Sequence, residues 1–453
     1  MANTYIYRTL GTPTSTSKGT VSHWIKRGAV GVNEGSYGTF GVFNNGGAAA
    51  DRGHLNIYND TIYFYNQQTS TVIQTNKKLR DVNGWYHIVI AWDTTQATAS
   101  NRVKIYVNGE QETSFSTANY PGQNNTMEFN VSGRRFALGA LGSNGNAAYF
   151  WDGLISHFHF CDGYTYAASD FGSTDSTTGE WEINTAPSVT YGNNGFFILK
   201  DGNSLTDQSG NSNNFTLGGG TLTFTHDNPS NLFCNLNQNT SKAKPTLSLG
   251  NLKTGSSSDG NYVFGTIGSK AGYYEIKLGQ NPNGANGNGL TFGTFDSNYG
   301  DTTINTTSYR AFKTNHGYTT NYSVDDTGGG NSWEGVSTGV SAAAGDIINV
   351  AWKNGKLYVG KNGTYFFSAN PSNNTDGSTQ VPLEDSNAYQ LPISKSNVDG
   401  MTNSEWNFGN GYFGTTAITS NSGNGYQDAN GQGKFQYQPP TGCYALCTKN
   451  LNV

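Results

Sequence analysis

Hydrophobic and polar positions alternate along much of this chain. In Trp85-Tyr-His-Ile-Val-Ile-Ala-Trp92, the residues Tyr86, Ile88, Ile90 and Trp92 fall on one face, and Trp85, His87, Val89 and Ala91 on the other. In Arg102-Val-Lys-Ile-Tyr-Val-Asn-Gly109, Val103, Ile105 and Val107 point one way, and Arg102, Lys104 and Tyr106 the other. Successive side chains of a strand point to opposite faces, so both runs predict strands, the second half buried and half wet. Asn108-Gly109 then supplies the positive φ that a tight hairpin needs. A sheet packed on one face and solvated on the other belongs to an antiparallel sandwich.

The same grammar returns late in the chain. Gly345-Asp-Ile-Ile-Asn-Val-Ala-Trp352, Lys356-Leu-Tyr-Val-Gly360 and Thr364-Tyr-Phe-Phe367 are separated by Asn354-Gly355 and Asn362-Gly363, which predicts a three-stranded meander. Elsewhere the pattern predicts further strands at residues 4–10, 21–27, 40–43, 135–139 and 149–160. Residues 54–58 and 61–65 form one more hairpin about Asn59-Asp60. Short strands at 195–200, 214–217 and 222–225 follow, and are expected to complete the first sandwich.

Composition changes the picture in one respect. Only 13% of the residues are charged and Gly numbers 60, a balance that by itself points towards disorder. Yet 27 Tyr and 24 Phe stand within the alternating runs, and these can bury a core. The expectation is an ordered, loop-rich, all-β protein: two antiparallel β-sandwich (jelly-roll) modules in tandem, as 453 residues allow. The formal charge of -5, without a basic patch, argues against nucleic acid as a partner. No apolar run approaches membrane-spanning length, so no membrane insertion is expected, and the first eight residues lack the apolar core of a secretory signal. Cys161, Cys234, Cys443 and Cys447 are too few for a disulfide framework and are expected as buried free thiols.

Trp85-Tyr-His-Ile-Val-Ile-Ala-Trp-Asp93, Arg102 to Gly109 and Phe150-Trp-Asp-Gly-Leu-Ile-Ser156, in that order, resemble a laminin G-like, concanavalin A-like jelly roll over about residues 1–185. Residues 186–239 then read as a β bridge and linker. Residues 240–453 resemble a SPRY-like β-sandwich with a C-terminal extension, on Gly272 to Leu278, Leu290 to Gly293, Gly345 to Val350, Ala388 to Pro392 and Trp406 to Gly409. Trp352-Lys353 stands where that family usually has Leu-Asp, so its peptide-binding site is not carried over. This order of modules, closed by Ala445-Leu-Cys-Thr-Lys-Asn-Leu451, is similar to a structural protein type of marine tailed bacteriophages. The resemblance implies a virion surface protein made in the host cytoplasm: a capsid decoration, head fibre or tail appendage. It would touch other virion proteins, perform host attachment through surface glycans, and assemble as a homo-oligomer, a trimer by analogy.

Candidate chemistry is sparse. Glycoside hydrolysis needs two carboxylates about the bond, and Glu110/Glu112 and Glu180/Glu182 have only the spacing. The sequence therefore reads as non-enzymatic. A glycan-degrading enzyme and a secreted lectin are the alternatives. His157 and His159 fall on one predicted strand face, half of a metal site or simply its wet side. Calcium is the one cofactor in question, with Asp93, Asp152 and Asp162 as candidate ligands. For carbohydrate, which needs aromatic platforms beside polar side chains, the candidates are Tyr149 with Trp151, and Tyr322 with Trp333.

Overall fold

The structure is a computed structural model that describes residues 3–31, 37–46, 51–143, 145–200, 202, 204–239, 243–258, 260–281, 289–296, 309–314, 322–325, 342–375, 381–382, 389–397 and 400–451. It is all-β, with no helical segment among the described residues longer than one 3-10 turn. The chain divides into two compact units, Met1–Phe224 and Thr225–Val453. The division falls inside the expected bridge of residues 186–239.

The first unit begins with β1 (Tyr5–Thr9), β2 (Lys18–Arg27), β3 (Gly38–Phe43), β4 (Arg52–Tyr58), β5 (Thr61–Asn66) and β6 (Thr71–Lys78). Then come β7 (Tyr86–Asp93), β8 (Val103–Val107), β9 (Glu110–Gln111), β10 (Phe115–Asn119) and β11 (Arg135–Leu138). It closes with β12 (Leu141–Ser143), β13 (Asn146–Ala148), β14 (Gly153–Asp162), β15 (Gly172–Thr174), β16 (Trp181–Ile183), β17 (Phe196–Ile198) and β18 (Thr216–Gly219). One sheet has the order β10-β6-β5-β4-β3-β11-β1-β18, and the other β17-β14-β2-β7-β8-β9. The late strands β17 and β18 pair with β14 and β1. Ile88, Ile90 and Trp92 of one sheet share a core with Leu55, Ile57, Phe64 and Phe136 of the other.

Trp92 is fully buried, and its cross-strand partner on β2 is Gly19. A Cβ at Gly19 would stand 2.4 Å from the indole, so only glycine leaves room for the ring. The indole N–H donates to Asn130 Oδ1 at 2.8 Å. That bond removes the cost of burying a polar atom.

Both faces of β7 are buried. Val89, Cys161, Ala168 and Phe171 form a second buried cluster, closed by Tyr166, Trp181, Val189 and Tyr191 from residues 163–191. That segment folds back over the outer face of the six-stranded sheet. His87 lies beneath it, stacked on Trp24 at 4.8 Å and Trp181 at 5.9 Å.

His157 and His159 are likewise buried, not on a wet face. The β2–β14 register slips between Ser156 and His159, and His157 has φ 45°, which marks a β-bulge. The bulge turns Phe158 and Phe160 inwards. His157 Nδ1 bonds Ser156 Oγ at 2.8 Å, while His159 stacks on Phe197 with centroids 3.9 Å apart and bonds Tyr191. Half a metal site is not what this strand presents.

The second unit has a nine-stranded and a five-stranded sheet. The meander is Ile347–Lys353, Lys356–Lys361 and Thr364–Tyr365, with Asn354, Gly355, Asn362 and Gly363 all at positive φ. Trp352 is buried opposite Gly272, where a Cβ would come 2.3 Å from the ring. Glu275, on the opposite face of the strand Gly272–Lys277, is fully buried and anchors the C-terminal segment. Its oxygens accept from Tyr273 Oη (2.9 Å), Asn407 Nδ2 (2.9 Å), Gln436 N (3.0 Å) and Tyr437 N (2.8 Å). Burial pushes this carboxyl up to about 7, against the pull of those four donors. All four cysteines are free and buried, as expected.

Candidate functional site: a cleft on the eight-stranded sheet

In the first unit, residues 163–191 cover one outer face. The outer face of the eight-stranded sheet instead carries a cleft of about 430 Å³, lined by Arg52, His54, Asn56, Tyr58, Tyr63, Tyr65, Leu141, Gly142 and Tyr149. That volume lies within the range of roughly 300–1,000 Å³ usual for ligand pockets.

Strand alternation builds its floor. Leu55 and Ile57 of β4 and Ile62 and Phe64 of β5 enter the core, so Arg52, His54, Asn56, Tyr58, Tyr63 and Tyr65 face outwards. The register sets His54 opposite Tyr65 and Asn56 opposite Tyr63. The rings form a shelf: His54 and Tyr65 have centroids 5.0 Å apart, and Tyr63 and Tyr65 6.3 Å apart at 20°. The Arg52 guanidinium sits 5.7 Å from the Tyr65 centroid, and its Nη1 reaches the Gly142 carbonyl at 3.5 Å.

The wall is the β12–β13 hairpin, laid against β3. A Cβ at Gly142 would fall 2.3 Å from Phe43 Cβ, so this close approach needs glycine. The hairpin ends at Tyr149, which is 45% exposed. Its φ of 53° is costly for a bulky residue, and it is tied down where its carbonyl accepts from Gly38 N at 2.8 Å.

Three polar atoms of the lining are buried with no hydrogen-bond partner among the described residues: Arg52 Nε, His54 Nδ1 and Asn56 Oδ1. Unmet buried donors and acceptors are costly, by about 1–3 kcal/mol each. Burial also drives the His54 pKa down to about 3, with Arg52 adding to the effect, so the imidazole is neutral at ordinary pH.

Tyr149 is thus the one predicted carbohydrate residue that the cleft uses. Trp151 turns away: its indole N–H donates to the Leu154 carbonyl at 3.2 Å and its ring packs on the core. Tyr322 lies on the strand Tyr322–Asp325 in the other unit, and Trp333 lies outside the described residues. The other eight lining residues were missed, although for the six on β4 and β5 the signal stood in the alternation. The outward positions of residues 52–65 read Arg-His-Asn-Tyr and then Tyr-Tyr, a run rich in rings and amides.

The three aspartates are not brought together. Asp93 and Asp162 flank the Lys18–Gly19 end of β2, and Asp152 lies at the Arg27 end, about 30 Å away at 3.3 Å per residue. Asp93 accepts from Thr95 and Gln96 and pairs with Lys18 at 3.4 Å. Asp162 accepts from Thr14 N, Asn194 N and Asn130 Nδ2. Among the described residues, no group of three or more His, Cys, Asp or Glu is placed to hold a metal ion.

One Ser–His contact invites comparison with a nucleophile and base. Ser22 Oγ lies 2.8 Å from His87 Nε2. But the Trp181 indole, which can only donate, meets His87 Nδ1 at 2.9 Å. The ring proton therefore sits on Nε2 and is donated to Ser22, the reverse of what a base needs. Glu110 and Glu112 both pair with Lys77, at 3.4 and 2.8 Å.

No curated protein sequence matches this chain. Among solved structures, similar ones include a heptameric SAP-like pentraxin from Limulus polyphemus (14% identity, 49% of this chain and 91% of that one, TM-score 0.31). Another is the LG1-3 region of the laminin α2 chain (10%, 86% and 56%, TM-score 0.32). A third is a tailspike protein from the Escherichia coli O157:H7 bacteriophage CAB120 (10%, 36% and 22%, TM-score 0.23). At such identities and scores, none of them bears on function. By sequence, residues 2–170 match the family described as the concanavalin A-like lectin/glucanases superfamily, and the first unit has that laminin G-like jelly-roll fold.

Proposed function

We propose that this chain is a non-enzymatic surface protein of a tailed-bacteriophage particle, and that its first unit binds a glycan in the Arg52–Tyr149 cleft. The observation that carries the binding reading is the tyrosine shelf beside three buried polar atoms without partners. A saccharide presents apolar C–H faces to rings and hydroxyls to orphaned donors and acceptors, so it satisfies both at once. Among the described residues no carboxylate lines the cleft, which speaks against hydrolysis there, since that chemistry needs an acid and a base or nucleophile. Binding is calcium-independent in this reading, because protein donors already occupy Asp93 and Asp162.

The virion part rests on the order of the two β units and on the Ala445–Leu451 ending described above. A trimer of like chains is the expected assembly, by analogy with particle appendages.

The test of binding is a glycan array probed with the full chain, followed by calorimetry. Tyr63→Ala should weaken the best ligand about ten-fold, equivalent to about 1.4 kcal/mol, and EDTA should change nothing. Release of reducing sugar from the bound glycan would overturn the non-enzymatic reading. Cryo-electron microscopy of particles tests the virion reading: density at the head lattice or at the tail supports it, and absence from the particle sinks it.

A further inference from the structure

Resting on that glycan-binding reading, we propose that the saccharide taken by this cleft carries an anionic substituent, a carboxylate or a sulfate, and that Arg52 holds it. Among the described residues, Arg52 is the only charged side chain in the lining, since His54 is neutral. It has no carboxylate partner among the described residues. The neighbouring Asp51 is engaged elsewhere, with Arg134 at 3.3 Å and Asn44 at 3.2 Å. The guanidinium instead lies over Tyr65, with one weak bond to the Gly142 carbonyl and a buried Nε that meets no acceptor among the described residues.

A ligand seated on the shelf strips water from this guanidinium. If the ligand is neutral, an uncompensated charge is left buried, which is unfavourable. If it carries an anion, the planar fork donates to two of its oxygens, the strongest arrangement open to arginine. Asn56 and His54 remain to read hydroxyls across the shelf. The shared chemistry is thus an oxyanion on a sugar. Uronic or sialic acids and sulfated sugars are its two sources.

The test is a paired array read with the full chain. It carries uronate oligosaccharides of several backbones beside their methyl esters, sialosides beside their methyl esters, and sulfated galactans beside their desulfated forms. The expected result is at least a ten-fold preference for the anionic member of one pair, shrinking as salt is raised from 50 to 300 mM. The identity of that pair tells carboxylate from sulfate. Arg52→Met should erase the preference, and Arg52→Lys, which keeps the charge without the fork, should retain part of it. Unchanged circular dichroism shows that both variants fold. Equal affinity within every pair, or a preference untouched by Arg52→Met, would overturn this inference and leave the glycan reading standing. If no saccharide binds, the glycan reading itself falls.

Discussion

The two units share one device and differ in what they bury. Each sets a fully buried tryptophan against a cross-strand glycine: Trp92 on Gly19, and Trp352 on Gly272. Each indole N–H is met, by Asn130 Oδ1 in the first and by the Ser269 carbonyl in the second. The balance of ionisable groups inside differs, although the first unit too buries a carboxyl raised by desolvation, Glu128. The first unit buries His23, His54, His87 and His159, all with pKa values driven down by desolvation, the first three to about 3. The second buries Glu275, whose pKa is driven up. The lesson is that one packing solution leaves the charge behaviour of a sandwich free.

The largest effect is expected from the shared device. Trp92→Ala and Trp352→Ala should each cost about 3–5 kcal/mol. Faster amide exchange should appear in Lys18–Arg27 and Tyr86–Asp93 for the first, and in Gly272–Lys277 and Ile347–Lys353 for the second. Clearly unequal costs would mean that the two pairs are not equivalent.

Acid should separate the units. A histidine held neutral in the fold is protonated in the unfolded chain below about pH 6.5. The stability it contributes is present above that pH and lost as pH falls towards 3, by about 1.4 kcal/mol per pH unit for each group. The first unit should therefore weaken steeply from pH 6 to 5. Glu275 has the opposite sign. It keeps its proton in the fold between about 4.5 and 7, so its contribution grows as pH falls across that window. His226, lowered by burial, offsets it, and the second unit should respond weakly. Denaturation at several pH values, resolved by exchange mass spectrometry, checks this. Equal slopes would defeat it.

Glu275→Gln sharpens the same contrast. Each oxygen accepts two of the four bonds, so the amide sets its NH2 against two donors, at a cost of about 1–3 kcal/mol for each group left unmet. Exchange at Gln436 and Tyr437 should rise. The smallest effect is expected at the rim of the cleft. Tyr149→Gly relieves a positive φ and should stabilise the first unit by about 1 kcal/mol or a little more, while weakening any bound glycan.

Much of the fold was legible beforehand because its causes are local. Asn108-Gly109, Asn354-Gly355 and Asn362-Gly363 adopt positive φ wherever they stand. The β8 run alternates in burial as its residues alternate in polarity. His157 shows the limit. Phe158 and Phe160 enter the core, but Phe197 covers both histidines on the other face, and nothing in His-Phe-His-Phe announces that cover. Tyr149 and Trp151 were singled out by the same criterion, ring beside amide, yet only Tyr149 reached the cleft. What separates them is whether the core offers the ring a place, and that is not a local property.

The sequence by itself determined an all-β chain, its strands and its hairpin turns, because a period of two and a demand for positive φ are written residue by residue. Only the tertiary structure decided where a ligand can sit. Residues 163–191 close one sheet face, and residues 141–149 build a wall beside strands 52–65 on the other. Which face stays open depends on contacts between segments far apart in the chain, and no local pattern encodes them.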